Sequence, residues 1–421
     1  MSSKTNLNLF ILGNFVSLLG SSMQRTALPL FILDLTGKGS AMSLLTLSHM
    51  IPMLLTTPLA GVIGDRTNRK KIMVLMDLLR GLVVIPLAVL GLRGQLNLPI
   101  IFTIMALSAV LDSLFSAATG AMLPELVSED KLREANSFNS IFTSIAELLG
   151  PLFGAITYSF LGIGAIFVFN ALAYLISGLL EMFIKYDFKP STEKSSLKEF
   201  YESAKAGLEF INNNSQLKTL VGFALLFNFL IAPLFSVVLP YTAKEVLQLS
   251  SVFYGLMGTF ITAGFIIGAS LVGTVLAKKP SGSLFKGGIF AVTALIFLFT
   301  VLITPLFLPL FANDKMSGPL ILLGILIVLG ISLSITNIPL NTDLQKLTPN
   351  HIRSRVFSTT SLLSQIAIPI GVAINGFALD YINPYIISGF VSMCFLATAI
   401  FFARSFDTAS FLEQTEVEKA K

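Results

Sequence analysis

Residues 61–71, "GVIGDRTNRKK", close one apolar run at Asp65 and set four basic residues, Arg66, Arg69, Lys70 and Lys71, into six positions before the next apolar run starts at Ile72. Charge this dense between two apolar segments fits a short loop at a membrane surface. Lysine and arginine are well solvated just outside a bilayer, cost about 2.5 to 3.5 kcal/mol at its centre, and concentrate on the cytoplasmic side. The composition agrees. Of 421 residues, 54% are hydrophobic and 12% charged, about half the charged share (~25%) of an ordinary globular domain. Mean hydropathy is +0.82. These values exclude a soluble protein.

Working outward from that loop, apolar runs of the length that crosses a hydrocarbon core, about 20 residues, fall at 8–33, 41–64, 72–92, 98–122, 134–160, 163–185, 216–240, 251–277, 284–310, 317–341, 353–379 and 383–404. The ten-residue alternation of a β-barrel is absent. The run beginning near Leu7 is too long for a signal-peptide core and lacks a cleavage pattern, so it reads as a first span. The expected fold is therefore an all-α polytopic membrane protein with twelve transmembrane helices. An even number puts both termini on one side. Of the 28 Lys and Arg residues, 22 lie on the side of the termini and four, Lys38, Arg93, Lys244 and Lys315, on the other. That bias predicts cytoplasmic termini in the cell's inner (plasma) membrane.

The longest loop, 186–215, divides the spans six and six. Its stretch "SLKEFYESAKAGLEFI" places Leu197, Phe200, Tyr201, Ala204, Leu208 and Ile211 at helical spacing, which predicts an amphipathic helix on the cytoplasmic surface within a segment that mainly connects. The expected organisation is a six-helix bundle over 1–185, the linker 186–215, a second six-helix bundle over 216–404 and a tail over 405–421. The bundles resemble each other: "LVSEDKLREANSF" (126–138) and "LTPNHIRSRVFS" (347–358) are polar entries to the fifth and eleventh spans, each followed by a helix bearing Gly and Pro. Parallel halves related about the membrane normal are a transporter plan.

With the loop placed between the second and third of twelve spans, "GVIGDRTNRKK" resembles the signature of the major facilitator superfamily. Gly61, Asp65, Arg66, Arg69 and Lys70 match, and Asn68 stands where the family carries glycine, a replacement expected to tolerate a left-handed backbone. The resemblance implies two pseudo-symmetric six-helix bundles and a cytoplasmic latch. In that latch, Asp65 would face the partly positive start of the eleventh helix near Arg355. The corresponding "GTVLAKKP" of the second half has Ala277 in place of the acid, so the latch is expected to be one-sided. "GPLFGA", with Gly150, Pro151 and Gly154, is similar to the fifth-helix element of drug/proton antiporters, departing from it at Ala146 and Ala155. Together with "LPELVSEDKLREAN" it resembles the branch containing macrolide efflux pumps and the enterobactin exporter.

A charge embedded in a span faces the bundle interior or a watery cavity. Arg25, Asp112 and Glu147 are so placed, on polar stripes Asn14/Ser17/Ser21/Arg25, Ser108/Asp112/Ser116/Thr119 and Ser140/Thr143/Glu147/Gly150/Gly154, all of which can face one space. Two acids against one base leave one acid unpaired. That acid is the proton-carrier candidate, Glu147 before Asp112 because Glu147 adjoins the Gly-Pro element; a static ion-paired brace is the competing reading. Asp77 and Arg80, at the cytoplasmic start of the third span, read as structural or part of the latch, and Asp34 and Glu181 as solvated. His49 and His351 are too far apart to pair on a metal, and Cys394 is the only cysteine, so no disulfide, metal site or cofactor is expected. The second half offers neutral groups. With Asn14, Ser21 and Gln24, the residues Asn228, Asn337, Asn341 and Gln365 are the possible substrate cavity, and 36 Phe and 13 Met suit an adaptable apolar pocket.

No metalloprotease, nucleophile-elbow or phosphate-loop motif is present, which argues against an enzyme and against direct ATP drive. The function implied is secondary transport by alternating access, with proton-coupled efflux of amphipathic or hydrophobic small molecules. The expected partners are a small-molecule substrate, protons and the lipid bilayer, with no nucleic acid, and the plan needs only a monomer. A different cargo (siderophore, lysophospholipid or metabolite) and a non-transporting sensor are the alternatives.

Overall fold

The structure is a computed structural model and describes residues 3–186, 196–312 and 317–405. Residues 187–195 of the expected linker, Lys315 and the tail 406–421 lie outside the described residues. In chain order the helices are α1 (Ser3–Thr36), α2 (Gly39–Arg66), α3 (Arg69–Leu92), α4 (Leu98–Leu126), α5 (Glu129–Met182), α6 (Leu197–Asn213), α7 (Ser215–Pro233), α8 (Ser251–Gly273), α9 (Ser281–Leu302), α10 (Ser317–Leu347), α11 (Arg353–Leu379) and α12 (Pro384–Ser405). No strand occurs among the described residues. Ten helices are long and apolar enough to cross a membrane; α1 is long but more polar.

One of the ten, α5, is 54 residues long, about 80 Å at 1.5 Å per residue and far beyond one crossing. Its neighbours show why. Along α1, Asn14 meets Asn139 and Met23 meets Gly154, so the first part of α5 runs parallel to α1. Gly20 meets Ala173 and Gly13 meets Ser177 and Glu181, so the last part runs antiparallel. The chain reverses at Gly162, whose φ of 76° and ψ of 178° are non-helical and readily adopted only without a Cβ. α5 is thus a helical hairpin, and the described residues hold twelve long helical segments besides α6.

The structure divides into two units, Met1–Tyr201 with Ser250–Thr259, and Glu202–Leu249 with Phe260–Lys421. In the first, α1 packs on the first part of α5, α3 on the last part, and α2 on α4. In the second, α7 packs on α11 through Gly371 and Phe229, α9 on α12, and α8 on α10 through Gly264 and Gly330. The partners are the same at an offset of six segments, which is the internal repeat expressed in packing.

Small residues make those approaches possible, since helix pairs in lipid gain little from apolar burial and depend on close fit. A Cβ on Gly81 would lie 2.8 Å from Leu175, and one on Gly91 2.8 Å from the backbone of Gly164. The second unit adds rings to its glycine contacts. Phe223 stands edge-on to Phe285 and Phe402 at centroid distances of 4.8 and 5.2 Å, and Phe227 to Phe395 at 5.7 Å, the geometry in which aromatic pairs add to area burial. After Pro233 the chain of α7 continues through two wide π turns, Leu234–Val238 and Thr242–Val246. Pro233 and Pro240 cannot donate to a regular ladder there.

Helix α6 occupies the predicted amphipathic stretch. Of its apolar positions Phe200, Tyr201 and Leu208 are exposed, as the lipid-facing side of a surface helix would be, and Ile211 is buried. Thr359 Oγ1 of α11 donates to the Ala204 carbonyl at 3.2 Å, and a Cβ on Gly207 would lie 2.6 Å from the Arg355 carbonyl. The segment therefore covers the first turns of α11 as well as connecting.

Candidate functional site

The polar residues of the first unit converge on a guanidinium. Arg80 lies one turn after Asp77 on α3, and its Nη1 donates to Asp77 Oδ1 at 2.6 Å. Its Nε lies 2.8 Å from Asp112 Oδ1 on α4, a charge contact without straight hydrogen-bond alignment. The other oxygen of Asp112 is 2.9 Å from His49 Nε2 on α2. The guanidinium lies over two rings, 3.9 Å from the centroid of Phe115 and 4.9 Å from that of Tyr174. Stacking of this kind, in a desolvated place, adds about 2 kcal/mol. Exposure is graded along the chain of groups: the Asp77 side chain is 0% exposed and that of Arg80 7%, whereas Asp112 and His49 are 21% and 29% exposed.

Helix α5 supplies the far wall. Tyr174, Ser177 and Glu181 recur at three- and four-residue spacing and face α3 and α1. The Tyr174 hydroxyl is 2.9 Å from that of Ser21, which donates to the Ser17 carbonyl at 2.8 Å. The Ser177 hydroxyl is placed toward both Asp77 and Glu181. Glu181 is fully buried, with neither carboxyl oxygen hydrogen-bonded.

This arrangement corrects several expectations. Arg25 and Glu147 are both exposed, and among the described residues neither is ion-paired. The cation against Asp112 is Arg80, which sequence position alone had grouped with the loop, and Arg25 acts on Asp112 only as a more distant charge. Glu181 is enclosed instead of solvated, because α1 passes over it at Gly13. His49 gains a partner that its isolated place on α2 did not disclose. Part of the third stripe is taken up by packing: Gly150 abuts Ser22 so closely that a Cβ would collide, and a Cβ on Gly154 would lie 2.6 Å from the Met23 carbonyl. Pro151 is packed by Gly258, whose Cβ would lie 3.0 Å away, and Thr259 Oγ1 donates to the Leu148 carbonyl at 3.0 Å. Gly150, Pro151 and Gly154 are thus a packing element.

The possible cavity residues are mostly occupied with local bonds. Gln24 is buried and accepts from Asn170 Nδ2 at 2.6 Å, Asn14 Nδ2 donates to Asn139 at 3.4 Å, and Ser21 serves Tyr174. In the second unit Asn228 bonds the Ala224 carbonyl, Asn341 the Asn337 carbonyl and Gln365 the Ser361 hydroxyl, all within their own helices. Asn337 is half-buried.

At the loop that opened the sequence, Arg69 is ion-paired with Glu125 at the end of α4, and Lys70 Nζ donates to the Met182 carbonyl at 2.8 Å. Tyr186 donates to the second oxygen of Glu125, and burial together with this bond pushes the Tyr186 phenol up to about 12. Gly61, Arg66 and Arg355 are exposed, and the Asp65 side chain lies outside what is described. Asn68 is not left-handed. With φ −60° and ψ 107° it caps α3, its side chain accepting from the Lys71 amide at 3.1 Å, so capping explains an asparagine there. Among the described residues no group of His, Cys, Asp or Glu could hold a metal ion.

Residues 10–372 match the family described as Major Facilitator Superfamily. Macrolide efflux protein A of Streptococcus pyogenes is 22% identical over 386 residues, covering 91% of this chain and 92% of that protein. A putative bacilysin exporter of Bacillus subtilis is 25% identical over 384 residues, covering 88% and 86%. Among solved structures, a nucleoside transporter superposes with a TM-score of 0.73 at 13% identity, covering 97% of this chain and 99% of that one. A bacterial homologue of the iron transporter ferroportin superposes with a TM-score of 0.71 at 18% identity, covering 96% and 99%.

Proposed function

The chain belongs to the major facilitator superfamily of membrane transporters, and from that premise we propose that it exports amphipathic or hydrophobic small molecules of the macrolide kind in exchange for protons, by alternating access. The supporting observation is Asp112. It is a half-buried carboxylate with Arg80 against one oxygen and His49 against the other. A proton on Asp112 would compete with both partners, and so would a bound molecule that drew on His49 or Asp112. Two ligands competing for one carboxylate is what exchange transport requires. Asp112 thereby replaces Glu147 as the first coupling candidate, and Arg25 and Glu147, both exposed, are assigned to the cargo or its path.

The name of the Streptococcus relative and its coverage of both chains support the cargo class. The latch of Asp65 with the start of α11 near Arg355 belongs to the same proposal, as do the cytoplasmic termini, the inner-membrane location and the monomer.

The test is uptake into proteoliposomes under an imposed pH gradient. Wild type, Asp112→Asn and Glu147→Gln are compared with a macrolide, a lipophilic cation and a catecholate siderophore. The expected result is macrolide accumulation that loses its response to the gradient in Asp112→Asn and keeps that response, at a lower apparent affinity for the macrolide, in Glu147→Gln. Accumulation indifferent to the gradient sinks proton exchange, and response to the siderophore alone replaces the cargo class.

A further inference from the structure

The deep end of the polar network has no part in the exchange step just described. Asp77 Oδ2, both oxygens of Glu181 and the Ser177 hydroxyl are buried without a geometrically sound hydrogen bond. Every element packed there contributes to the count of charges. α1 presents Gly13, Ser17 and, farther off, the exposed Arg25; α2 presents His49; α3 Asp77 and Arg80; α4 Asp112; and α5 Tyr174, Ser177 and Glu181. One buried cation, Arg80, therefore faces three carboxyl groups. It touches Asp77 and Asp112, and among the described residues Glu181 has no ion pair and no hydrogen bond to its carboxyl oxygens.

A carboxylate stripped of water and left without a donor is among the costliest groups a protein can bury, and the usual relief is to carry a proton instead. We propose that Glu181 with Asp77 and Ser177 forms a second, water-excluded protonation site, holding one proton that Arg80 links to the state of Asp112. The linkage rests on the reading of Asp112 given above; the protonated site itself does not. Its logic is a shared cation. While Asp112 is ionised, Arg80 divides its charge between Asp112 and Asp77, and Asp77 competes through Ser177 for the proton on Glu181. When Asp112 is protonated, Arg80 turns its whole charge on Asp77, which holds Asp77 ionised and confines the proton to Glu181. Protonation at the half-exposed end is thus registered at the closed end by movement of charge, without water entering. A sodium ion is the less suitable occupant, because Asp77 already carries a cation on its other oxygen.

The experiment is infrared spectroscopy of the purified full-length protein in detergent at neutral pH, with no cargo and no gradient. Wild type is expected to show a protonated-carboxyl carbonyl band that is missing in Glu181→Gln and displaced in Ser177→Ala. The band should shift in Asp112→Asn. If the band survives in Glu181→Gln, or wild type shows none, the site is overturned; a band unmoved by Asp112→Asn overturns the linkage. Should Glu181→Gln fail to fold, isotope labelling of glutamate carboxyls in wild type decides the same point, since an unlabelled-position band that does not shift excludes Glu181. A band that disappears when choline is replaced by sodium identifies a cation site and overturns the proposal. Because nothing is transported, failure of the pH-gradient assay leaves these outcomes untouched.

Discussion

Arg80→Met removes the buried cation while keeping most of its volume. Asp77 then loses a 2.6 Å partner in a place with no exposure, and Asp112 a 2.8 Å contact at 21% exposure. Breaking a buried pair from one side costs about 3–5 kcal/mol because a charge is stranded. The Asp112 share is smaller because water reaches it, and the lost stacking on Phe115 and Tyr174 adds about 1–2 kcal/mol. The sum, roughly 5 kcal/mol, is comparable with the whole stability of many proteins, about 5–15 kcal/mol. At about 2–4 °C per kcal/mol for a unit of this size, the midpoint should fall by roughly 10–20 °C. Thermal unfolding in detergent can be followed with a thiol-reactive fluorophore, since Cys394 is the single cysteine. Adding Asp77→Asn to Arg80→Met removes the stranded charge and should recover about half the loss. An Arg80→Met protein that melts within about 3 °C of wild type, or a double variant that melts below the single one, would show that Asp77 is not stranded by loss of the guanidinium.

Other sites separate packing from function. Gly154→Leu drives a side chain into the α1 backbone and should cost about 1–3 kcal/mol or prevent folding, read as lost monodisperse protein. Gly61→Ala, where a Cβ meets nothing within 4 Å, should leave the melting midpoint equal or slightly higher; a drop in transport with unchanged stability would then assign Gly61 to the conformational change. Asn68→Ala should lose about 1 kcal/mol and Asn68→Gly only a few tenths, because glycine is a tolerable cap; equal losses would reject capping. The Tyr186 phenol lies at about 12 in the folded protein against an ordinary value of 10.0. Its neutral form is therefore favoured by folding, so its contribution is fully present below pH 10 and fades as pH rises toward 12. Tyr186→Phe should abolish that portion of the alkaline loss of stability, measured as midpoint against pH.

The helices were legible because hydrocarbon imposes a length and a composition on anything that crosses it, and the charge of residues 61–71 marks a boundary that hydropathy alone blurs. Gly162 was legible as a break between the fifth and sixth apolar runs, and the structure adds that the break is one residue long. The site was less so. Position within an apolar run identified Asp112, but burial near a helix end depends on what the neighbouring helix lacks. Nothing local to Glu181 states that α1 will pass over it at Gly13, and nothing local to His49 states that α4 will present a carboxylate 63 positions later. Arg25 and Glu147 look as embedded as Asp112 in one dimension, and only the packing of α1 on α5, with Gly20, Gly150 and Gly154 at the contacts, leaves them exposed.

The reversal at Gly162 has a practical consequence for anyone mapping how the chain threads the bilayer. Reporter tags, protease sites and accessible cysteines need a connecting segment that can swell without disturbing the helices on either side, and a turn made by one left-handed residue offers none. Insertions there would be read as misfolding when they report only the lack of room. Residues 93–97, between α3 and α4, are the roomier place to ask which side of the membrane that end of the first unit faces.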